Sequence, residues 1–449
     1  MMNKSVTIVG GGITGLCVAY YLLKAEYKVI MLEKSDQLGG LLSTFEVGGQ
    51  HIEMFYHHHF THDEELMDLL SELGIRDKCQ EYNTTMGFFS GGVVYNFNNA
   101  FDLLGFRPLP LVDKIRFGFT SLILARAMKW QSYNNISAKE WFLKYAGRKV
   151  SEVIWLPMLK AKFGEFYDRV PLAWMIGRMR QRLNSRKIGK EKLSYINGSL
   201  TTLVNKLCDV LTDNPNFTLH TKAVVSQIIT KDNKVTGLEM SDGSRLNTDL
   251  VISTVANPVL TTFLDEKSKS LKARLSAVQY FGAVCGVVVL DERLSDIYWL
   301  NIADNNYPFG GVIEHTNMVP PEIYSGNHIV YLSKYYSLSE SFSVKNDEEI
   351  LEEMIKGLKK IYPKLRDDAI KEKHLFRGKY AAPVCDLNFN KKIEPFDSSL
   401  TGLKIVNMSH LYPDERSVNN SIKLALQVTA KMTSTKLKES KSLAGYYGF

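Results

Sequence analysis

The chain has 449 residues, 45% apolar and 23% charged, which is the composition of a globular protein with room for two joined domains. Its net charge of +7 is only mildly basic, and since no nucleic-acid-binding motif is present we expect no nucleic-acid partner. The five cysteines are scattered, which argues against a disulfide framework and indicates a reducing compartment, so we expect a cytoplasmic protein.

The N-terminal segment predicts a βαβ unit. Residues 6–9 form a short apolar strand, residues 16–25 have the spacing of a buried helix, and residues 28–32 form a second strand. A G-x-G-x-x-G turn joins the first strand to the helix. Such a turn lets backbone N–H groups approach a pyrophosphate at the positive end of the helix. The segment therefore predicts a dinucleotide site.

Individual residues of this unit have predicted roles at the cofactor. Glu33 ends the second strand, where an acid can accept hydrogen bonds from ribose hydroxyls, so FAD or NAD is favoured over NADP. The predicted contacts in the turn are Gly10, Gly12, Ile13, Thr14 and Gly15.

A second glycine pair follows the acid and narrows the choice of cofactor. The continuation from Glu33 resembles the N-terminal signature of FAD-dependent amine oxidases, protoporphyrinogen oxidases, phytoene desaturases and UDP-galactopyranose mutases. The resemblance implies FAD, with backbone and side chains of this continuation running past its pyrophosphate. The residues so implied are Lys34, Gly39, Gly40, Leu41 and Leu42. Leu41 stands where many amine oxidases carry Arg.

Three adjacent histidines occupy residues 57–59. We expect no metal site there, because three consecutive side chains cannot face one point and neither a carboxylate nor a thiolate completes a set. An exposed polar loop is one alternative. The other comes from UDP-galactopyranose mutases, which this segment resembles; the resemblance places His58 beside the flavin, where it donates a hydrogen bond or acts through its charge.

Residues 101–130 combine large apolar side chains with interspersed basic residues. This pattern predicts an apolar helix with a basic flank. We expect it to pack over the substrate cavity as part of a helical insertion. The alternative is peripheral contact with a membrane surface. Its most apolar run, residues 117–125, is shorter than the roughly 20 residues that span a bilayer.

A run of basic residues follows at residues 178–192. Arg178, Arg182 and Arg186 recur every fourth position and can share one helix face, whereas Arg180 points elsewhere. A solvated helix face and a row that binds an anionic substrate are both open interpretations.

Residues 217–256 predict β-hairpins and a buried strand that rejoin the first sheet. By resemblance to the FAD-dependent oxidases, the main chain of Val225 contacts the adenine and Thr254 lies near the ADP portion.

Residues 278–336 predict the strands of a second sheet, rich in aromatic side chains. Because flavin sites need water-poor walls, we expect Trp299, His315 and Tyr331 in the catalytic cavity, with Tyr335 as a further candidate. Amine oxidases also use a lysine near the flavin, and Lys334 is the matching candidate.

The C-terminal segment predicts a last strand at residues 402–406 and a helix to about residue 432. In the family that this segment resembles, the strand leads to a Gly-Asp pair that holds the ribityl chain. Asn407-Met408 stands in its place here, so Arg416 or Asn419 is expected to substitute. The helix N-terminus, at Val418, is expected to face the flavin.

We therefore expect an α/β fold: an FAD-binding Rossmann-like domain with a mixed-sheet substrate domain and a helical insertion. The FAD domain is predicted at residues 1–80, 195–270 and 396–435, the substrate domain at 81–194 and 271–395, and a tail at 436–449.

Three functions follow from these features. The first is an FAD-dependent oxidoreductase of the protoporphyrinogen oxidase and amine oxidase type, which transfers a hydride from a substrate C–H bond to flavin N5. The second is a mutase-like enzyme acting on a nucleotide sugar or glycan precursor. The third is a flavin-binding protein without turnover. The expected partner is a small molecule, anionic or lipid-linked.

Overall fold

The computed structural model describes residues 4–127, 129–184 and 191–435 of the chain. Its strands are β1 Ser5–Val9, β2 Lys28–Leu32, β3 Thr44–Val47, β4 Gln50–Glu53, β5 His59–Phe60, β6 Cys79–Thr84, β7 Met86–Ser90, β8 Val93–Asn96, β9 Glu191–Ile196, β10 Phe217–His220, β11 Val225–Lys231, β12 Lys234–Met240, β13 Arg245–Asn247, β14 Val251–Ser253, β15 Tyr280–Leu290, β16 Trp299–Ile302, β17 Gly311–Glu314, β18 His328–Ser337, β19 Ile370–Pro383 and β20 Leu403–Ile405. Its helices are α1 Ile13–Lys24, α2 Glu64–Glu72, α3 Ala100–Gly105, α4 Leu111–Ala125, α5 Ala138–Trp141, α6 Arg148–Val150, α7 Leu156–Phe163, α8 Leu172–Asn184, α9 Ser199–Thr212, α10 Asn257–Phe263, α11 Lys269–Ser276, α12 Asp347–Ile361 and α13 Val418–Thr433.

A parallel sheet organises the predicted cofactor domain. Its strand order is β10-β2-β1-β14-β20, and every neighbouring pair is parallel. Parallel neighbours need crossover connections, and α1 supplies the first one between β1 and β2. Val6 and Ile8 of β1 are fully buried, and α1 packs against α9 and α13. The predicted βαβ unit is therefore present at the centre of this sheet.

The second large sheet is mixed. Its order is β19-β15-β18-β17-β16-β7-β8, and all neighbours are antiparallel except β16 and β7. Helix α12 covers one face, where Ile350, Met354 and Leu358 join the core with β15 residues Val284 and Val288. The predicted α/β class, with a mixed sheet beside the Rossmann-like sheet, is confirmed.

A third, small sheet has the order β5-β9-β6, and both of its strand pairs are antiparallel. The domain boundary predicted between residues 194 and 195 falls inside β9, which pairs continuously with β6 from Glu191 to Ile196. A paired strand is not a linker, so the chain passes from one predicted domain to the other within regular structure. The predicted tail at residues 436–449 lies outside the described residues.

Helices α3 to α8 form the helical insertion. Its core contains a parallel ring stack, with the centroids of Phe142 and Trp155 4.4 Å apart. Helix α4 packs against α8 within this insertion, and the cavity lining described below includes none of its residues. Leu124 is buried, whereas Phe119 on the outer side is 64% exposed. Within the described ranges, we find no helix whose length and hydropathy would carry it across a bilayer.

Packing of α13 against α1 gives a stability prediction. Ile422 of α13 is fully buried in the core that both helices share. Ile422→Ala is expected to lower the free energy of unfolding by about 2–5 kcal/mol, because the truncation leaves a cavity. Urea titration of the purified protein measures this change. Val344→Ala, at a position 86% exposed, is the control and is expected to change stability by about 0.5 kcal/mol or less. Equal effects of the two substitutions would contradict the packing.

Candidate functional site

A cavity of about 750 Å³ runs from the end of β1 to the mixed sheet. Such a volume is within the range of cofactor and ligand pockets. The predicted cofactor residues that line it are Gly10, Gly12, Ile13, Thr14, Glu33, Lys34, Gly39, Gly40, Leu41, Leu42, Val225, Thr254, Arg416 and Val418. Of the predicted catalytic residues, His58 and Trp299 line it.

The three glycines of the first turn differ in what surrounds them. Gly10 has a φ of +109°, which favours glycine. A Cβ on Gly15 would lie 2.0 Å from the carbonyl oxygen of Gly10, so only glycine lets α1 pack this closely on β1. A Cβ on Gly12 would meet no described protein atom nearer than 4.0 Å. Gly12 therefore faces open cavity, whereas Gly15 is a packing contact outside the cavity lining.

The second glycine pair lies directly beside the first turn. Gly39 N donates to the carbonyl oxygen of Gly11 at 2.9 Å. Both Gly39 and Gly40 have positive φ, at +110° and +60°. Two glycine segments thus present main chain without side chains to the same part of the cavity. The first N–H groups of α1 point there too, and they have no acceptor within the helix.

Glu33 is oriented by the main chain around it. Its carboxylate accepts hydrogen bonds from Gly11 N at 2.7 Å and Ser35 N at 2.9 Å. A carboxylate has about four acceptor positions, so two remain for a ligand. Glu33 lines the cavity, and an acid held there suits the hydroxyls of an unphosphorylated ribose.

Beyond Glu33 the cavity wall is apolar. Val225, Val259 and Phe263 line this end, which suits a flat heterocycle such as adenine. Thr254 also lines it, but its hydroxyl donates to the carbonyl oxygens of the turn, including Gly10 O at 3.1 Å. The side chain of Thr254 therefore supports the turn.

The start of α13 closes the other side of the cofactor region. Ser417 caps the helix by accepting from Asn420 N at 3.1 Å, and Val418 lines the cavity. A helix N-terminus carries positive potential, which stabilises negative charge nearby. Asn419 is a correction: it is buried, accepts from Leu66 N at 2.9 Å, and holds α2 to α13 away from the cavity lining.

A cluster of charged side chains lies in the cavity beside the start of α13. Lys162 of the insertion forms an ion pair with Glu415. Arg416 donates from Nη2 to the Tyr335 hydroxyl at 2.6 Å. Arg178 of α8 lines the same space. Three cations therefore accompany one carboxylate, and we call these four residues with Tyr335 the cationic cluster.

The cluster changes the ionisation of its own members. Burial raises the pKa of Glu415, but Lys162 and Arg178 outweigh it and the net pKa is lowered. Burial likewise raises the pKa of Tyr335, and Arg416 and Lys162 bring it below its usual value. Burial and the neighbouring Arg182 lower the pKa of Arg178. The cluster thus favours negative charge on any group that enters it.

The side chains of the adjacent histidines 57–59 point in different directions, as expected for consecutive residues, and His57 and His58 have different partners. His57 Nδ1 bonds the main-chain carbonyl of Phe55, and burial lowers its pKa to about 4. His58 Nδ1 lies 3.0 Å from the Tyr298 hydroxyl, and burial, with Arg182, lowers its pKa. The lowered pKa favours the neutral imidazole of His58, which suits hydrogen bonding better than a role through charge. In the described part of the chain, no three His, Cys, Asp or Glu side chains converge as metal ligands would.

Two of the predicted wall residues belong to the protein core. His315 is 1% exposed and its Nε2 lies 2.9 Å from the Tyr324 hydroxyl. Tyr331 is fully buried and donates to the carbonyl oxygen of Glu53 at 2.7 Å. Tyr331 is on the same side of β18 as the cavity-lining Ser333 and Tyr335, but it lies too far along the strand to reach the cavity. Both are therefore corrected from cavity wall to core.

Lys334 is also corrected, for a different reason. Alternate residues of a strand face opposite sides. Ser333 and Tyr335 line the cavity, so Lys334 between them faces the other side of the sheet, with Nζ 4.6 Å from the ring centroid of Phe342. The matching of Lys334 to a lysine near the flavin is not supported by this geometry.

The predicted arginine row divides into separate roles. Arg178 lines the cavity, as a row that binds an anionic substrate would require. Arg182 bonds both carboxylate oxygens of Glu191, at 3.0 and 3.1 Å. Arg180 donates to a main-chain carbonyl just after α4. Arg186 lies outside the described residues.

Several cavity residues had no clear sequence signal. Lys162 and Glu415 are 253 positions apart, so their ion pair is visible only in the folded chain. Trp155 and Trp174 line the cavity from the insertion, and Lys162 lies 5.1 Å from the Trp174 ring centroid. Tyr335, by contrast, was a candidate from the aromatic composition of its strand, and it lines the cavity on the same face of β18 as Ser333.

Gly12 and Gly15, the second and third glycines of the G-x-G-x-x-G turn, provide a paired test of the cofactor site. Gly12→Ala is expected to weaken FAD binding by about tenfold or more while leaving apoprotein stability nearly unchanged, because the added methyl projects into the cavity. Gly15→Ala is expected to lower apoprotein stability, because its methyl meets the Gly10 carbonyl. Flavin fluorescence quenching gives the affinity and thermal unfolding of apoprotein gives the stability. Normal FAD affinity in Gly12→Ala would contradict the assignment.

Three comparisons with known proteins show what this chain resembles. The chain is 22% identical over 388 residues to the 15-cis-phytoene desaturase of Narcissus pseudonarcissus, covering 80% of this chain and 66% of that protein. It is 37% identical over 81 residues to coproporphyrinogen III oxidase of Mycobacterium tuberculosis, covering 17% and 18%. The chain thus spans less than two thirds of the length of these relatives. The crystal structure of reduced UDP-galactopyranose mutase matches the fold with a TM-score of 0.77 at 16% identity, covering 100% of this chain and 97% of that one.

The family profile covers most of the chain. The family described as flavin containing amine oxidoreductase matches residues 13–382. The glycine cradle, the oriented acid and the apolar adenine end fit FAD, which is the cofactor of this protein. The chain belongs to the flavin containing amine oxidoreductase family.

Proposed function

We propose that this protein oxidises an anionic small molecule, with a hydride leaving a substrate C–H bond for flavin N5. The observation that carries the proposal is the continuity of one cavity, with the glycine cradle at one end and the cationic cluster at the other. A molecule held by the cluster would lie in the same cavity as the cofactor.

Bound FAD supplies the two-electron acceptor for this reaction. The chain supplies water-poor walls, including Trp155, Trp174 and Trp299, and the cations that orient the substrate. The substrate loses a hydride from carbon and a proton from the neighbouring atom. Glu415 is the ionised carboxylate of the cluster that would take this proton. We propose dioxygen as the final oxidant, which takes up two electrons and two protons and becomes hydrogen peroxide.

The charge of the cluster favours an anionic substrate. Three cations with one carboxylate leave an excess of positive charge in a partly buried space, where charges interact more strongly than in water. A protonated amine would be repelled there, although the family is described by amine oxidation. Carboxylates and phosphates would gain charge-assisted hydrogen bonds from Arg178 and Arg416. A polycarboxylate such as coproporphyrinogen III is one substrate of this kind.

A second function is favoured by the same cluster. A nucleotide sugar carries a diphosphate, which arginine and lysine side chains bind well. The full-length likeness to UDP-galactopyranose mutase supports this alternative. Such a reaction would use reduced flavin and would produce no net oxidation.

An anaerobic absorbance experiment separates the two functions. The holoprotein is titrated with NADH and NADPH, and a second sample is reduced with dithionite and exposed to air. We expect no reduction by either nicotinamide, rapid reoxidation in air, and hydrogen peroxide equal to the flavin present. Reduction by a nicotinamide, slow reoxidation and conversion of UDP-galactopyranose would instead support the mutase-like function. Flavin that cannot be reduced at all would exclude both.

Removing one cation tests the proposed substrate charge. Arg178→Met is expected to weaken binding of citrate and pyrophosphate, used as anionic probes, by about tenfold, because a charged hydrogen-bond donor is lost. The shift of the flavin absorbance bands during titration measures the dissociation constants. Arg180→Met is the matched control on the same helix, since Arg180 bonds a main-chain carbonyl near α4. Equal losses in both variants would contradict a binding role for Arg178.

A further inference from the structure

Helix α4 exposes most of its large apolar side chains to solvent. Val112 is 68% exposed, Ile115 65% and Phe119 64%, and Phe101 of the adjacent α3 is 82% exposed. We call the following residues the outer stripe: Phe101, Leu104, Leu111, Val112, Ile115, Phe119, Leu122 and Ile123. This arrangement is the reverse of an ordinary surface helix, which turns its apolar side inward.

The six members on α4 lie on one side of the helix. At about 100° per residue they fall within an arc of roughly 120°. The opposite side is already occupied, with Thr120 and Leu124 buried and Phe117 packed 5.2 Å from the Trp155 ring. The outer stripe is therefore a continuous apolar surface on a helix whose inward packing is complete.

Basic residues are interspersed with the outer stripe along the chain, and Arg107, Arg116 and Arg126 among them are exposed. Residues 99–129 contain five basic residues and two acids, and one of those acids, Asp113, is paired with Arg116. The basic residues are Arg107, Lys114, Arg116, Arg126 and Lys129. An apolar strip with a cationic flank is the pattern of a helix lying at the surface of an anionic bilayer. The aliphatic stems of such residues extend to the headgroups.

We propose that the outer stripe docks on an anionic lipid bilayer, with α3 and α4 lying in the interface and the basic flank contacting headgroups. A second copy of the chain fits this surface less well. In a two-fold contact the same surface meets itself, so both basic flanks would be brought together and would repel. A bilayer offers apolar depth and negative charge together.

Vesicle sedimentation of the holoprotein tests the proposal. Vesicles of phosphatidylcholine alone are compared with vesicles that also contain phosphatidylglycerol. We expect binding to the anionic vesicles, weaker binding at high salt, and about tenfold or greater loss of binding in the double variant Ile115→Glu and Phe119→Glu. Val344→Glu, which changes an apolar residue 86% exposed outside the stripe, is expected to bind normally.

Two further measurements keep the outcome decisive. Retained flavin absorbance shows that each variant is folded, and Phe119→Ser replaces the double variant if that one fails to fold. Arg126→Gln is expected to weaken binding only to anionic vesicles, by about fivefold. Absence of vesicle binding would overturn the proposal. So would a dimer of the unchanged protein, seen by light scattering, that Ile115→Glu and Phe119→Glu convert to monomer.

Discussion

The contact between α1 and β1 is the constraint on which the rest of the structure depends. The Gly10 carbonyl and the Gly15 Cα approach so closely that no side chain fits between them. This approach fixes where α1 begins, and so where its unpaired N–H groups point. The second glycine pair bonds to Gly11, and Thr254 of the segment after β14 bonds to the same turn. Each later element of the cofactor region is thus positioned against one short turn.

The cationic cluster shows a different kind of organisation. Buried ion pairs lose much of their attraction to the cost of removing charges from water, so they are weak evidence for stability. For Lys162, the ion pair with Glu415 and the contacts with the ring faces of Trp174 and Tyr335 offset this desolvation cost. Clusters of shifted titratable groups in a cleft are typical of functional sites. These features support the proposed binding of an anion by the cluster.

The local parts of this architecture could be predicted from the sequence. The glycine turn, Glu33 and the second glycine pair are adjacent in the chain, and their conformations follow from residue type. The placement of Lys334 could not be predicted, because alternation in β18 defines two faces without saying which one meets the cavity. The prediction that His315 lines the cavity was wrong, because a strand with aromatic and polar residues has the same composition in a protein core as in a binding site. For α4 the sequence left packing over the cavity and membrane contact as open alternatives, since an apolar stripe shows where a helix is hydrophobic and not what covers it.

Helix α13 has a consequence for how the protein is made. The parallel sheet has β1 from the start of the chain at its centre, and α13 packs against α1 and, through Asn419, bonds α2 across 353 positions. During synthesis, α1 and α2 leave the ribosome long before their packing partner exists. Contacts so distant in the chain form late and slowly, because a long loop must close first. The part of α1 that packs on α13 therefore has no partner until the last segment of the chain has been made, and exposed apolar surface of this kind favours aggregation.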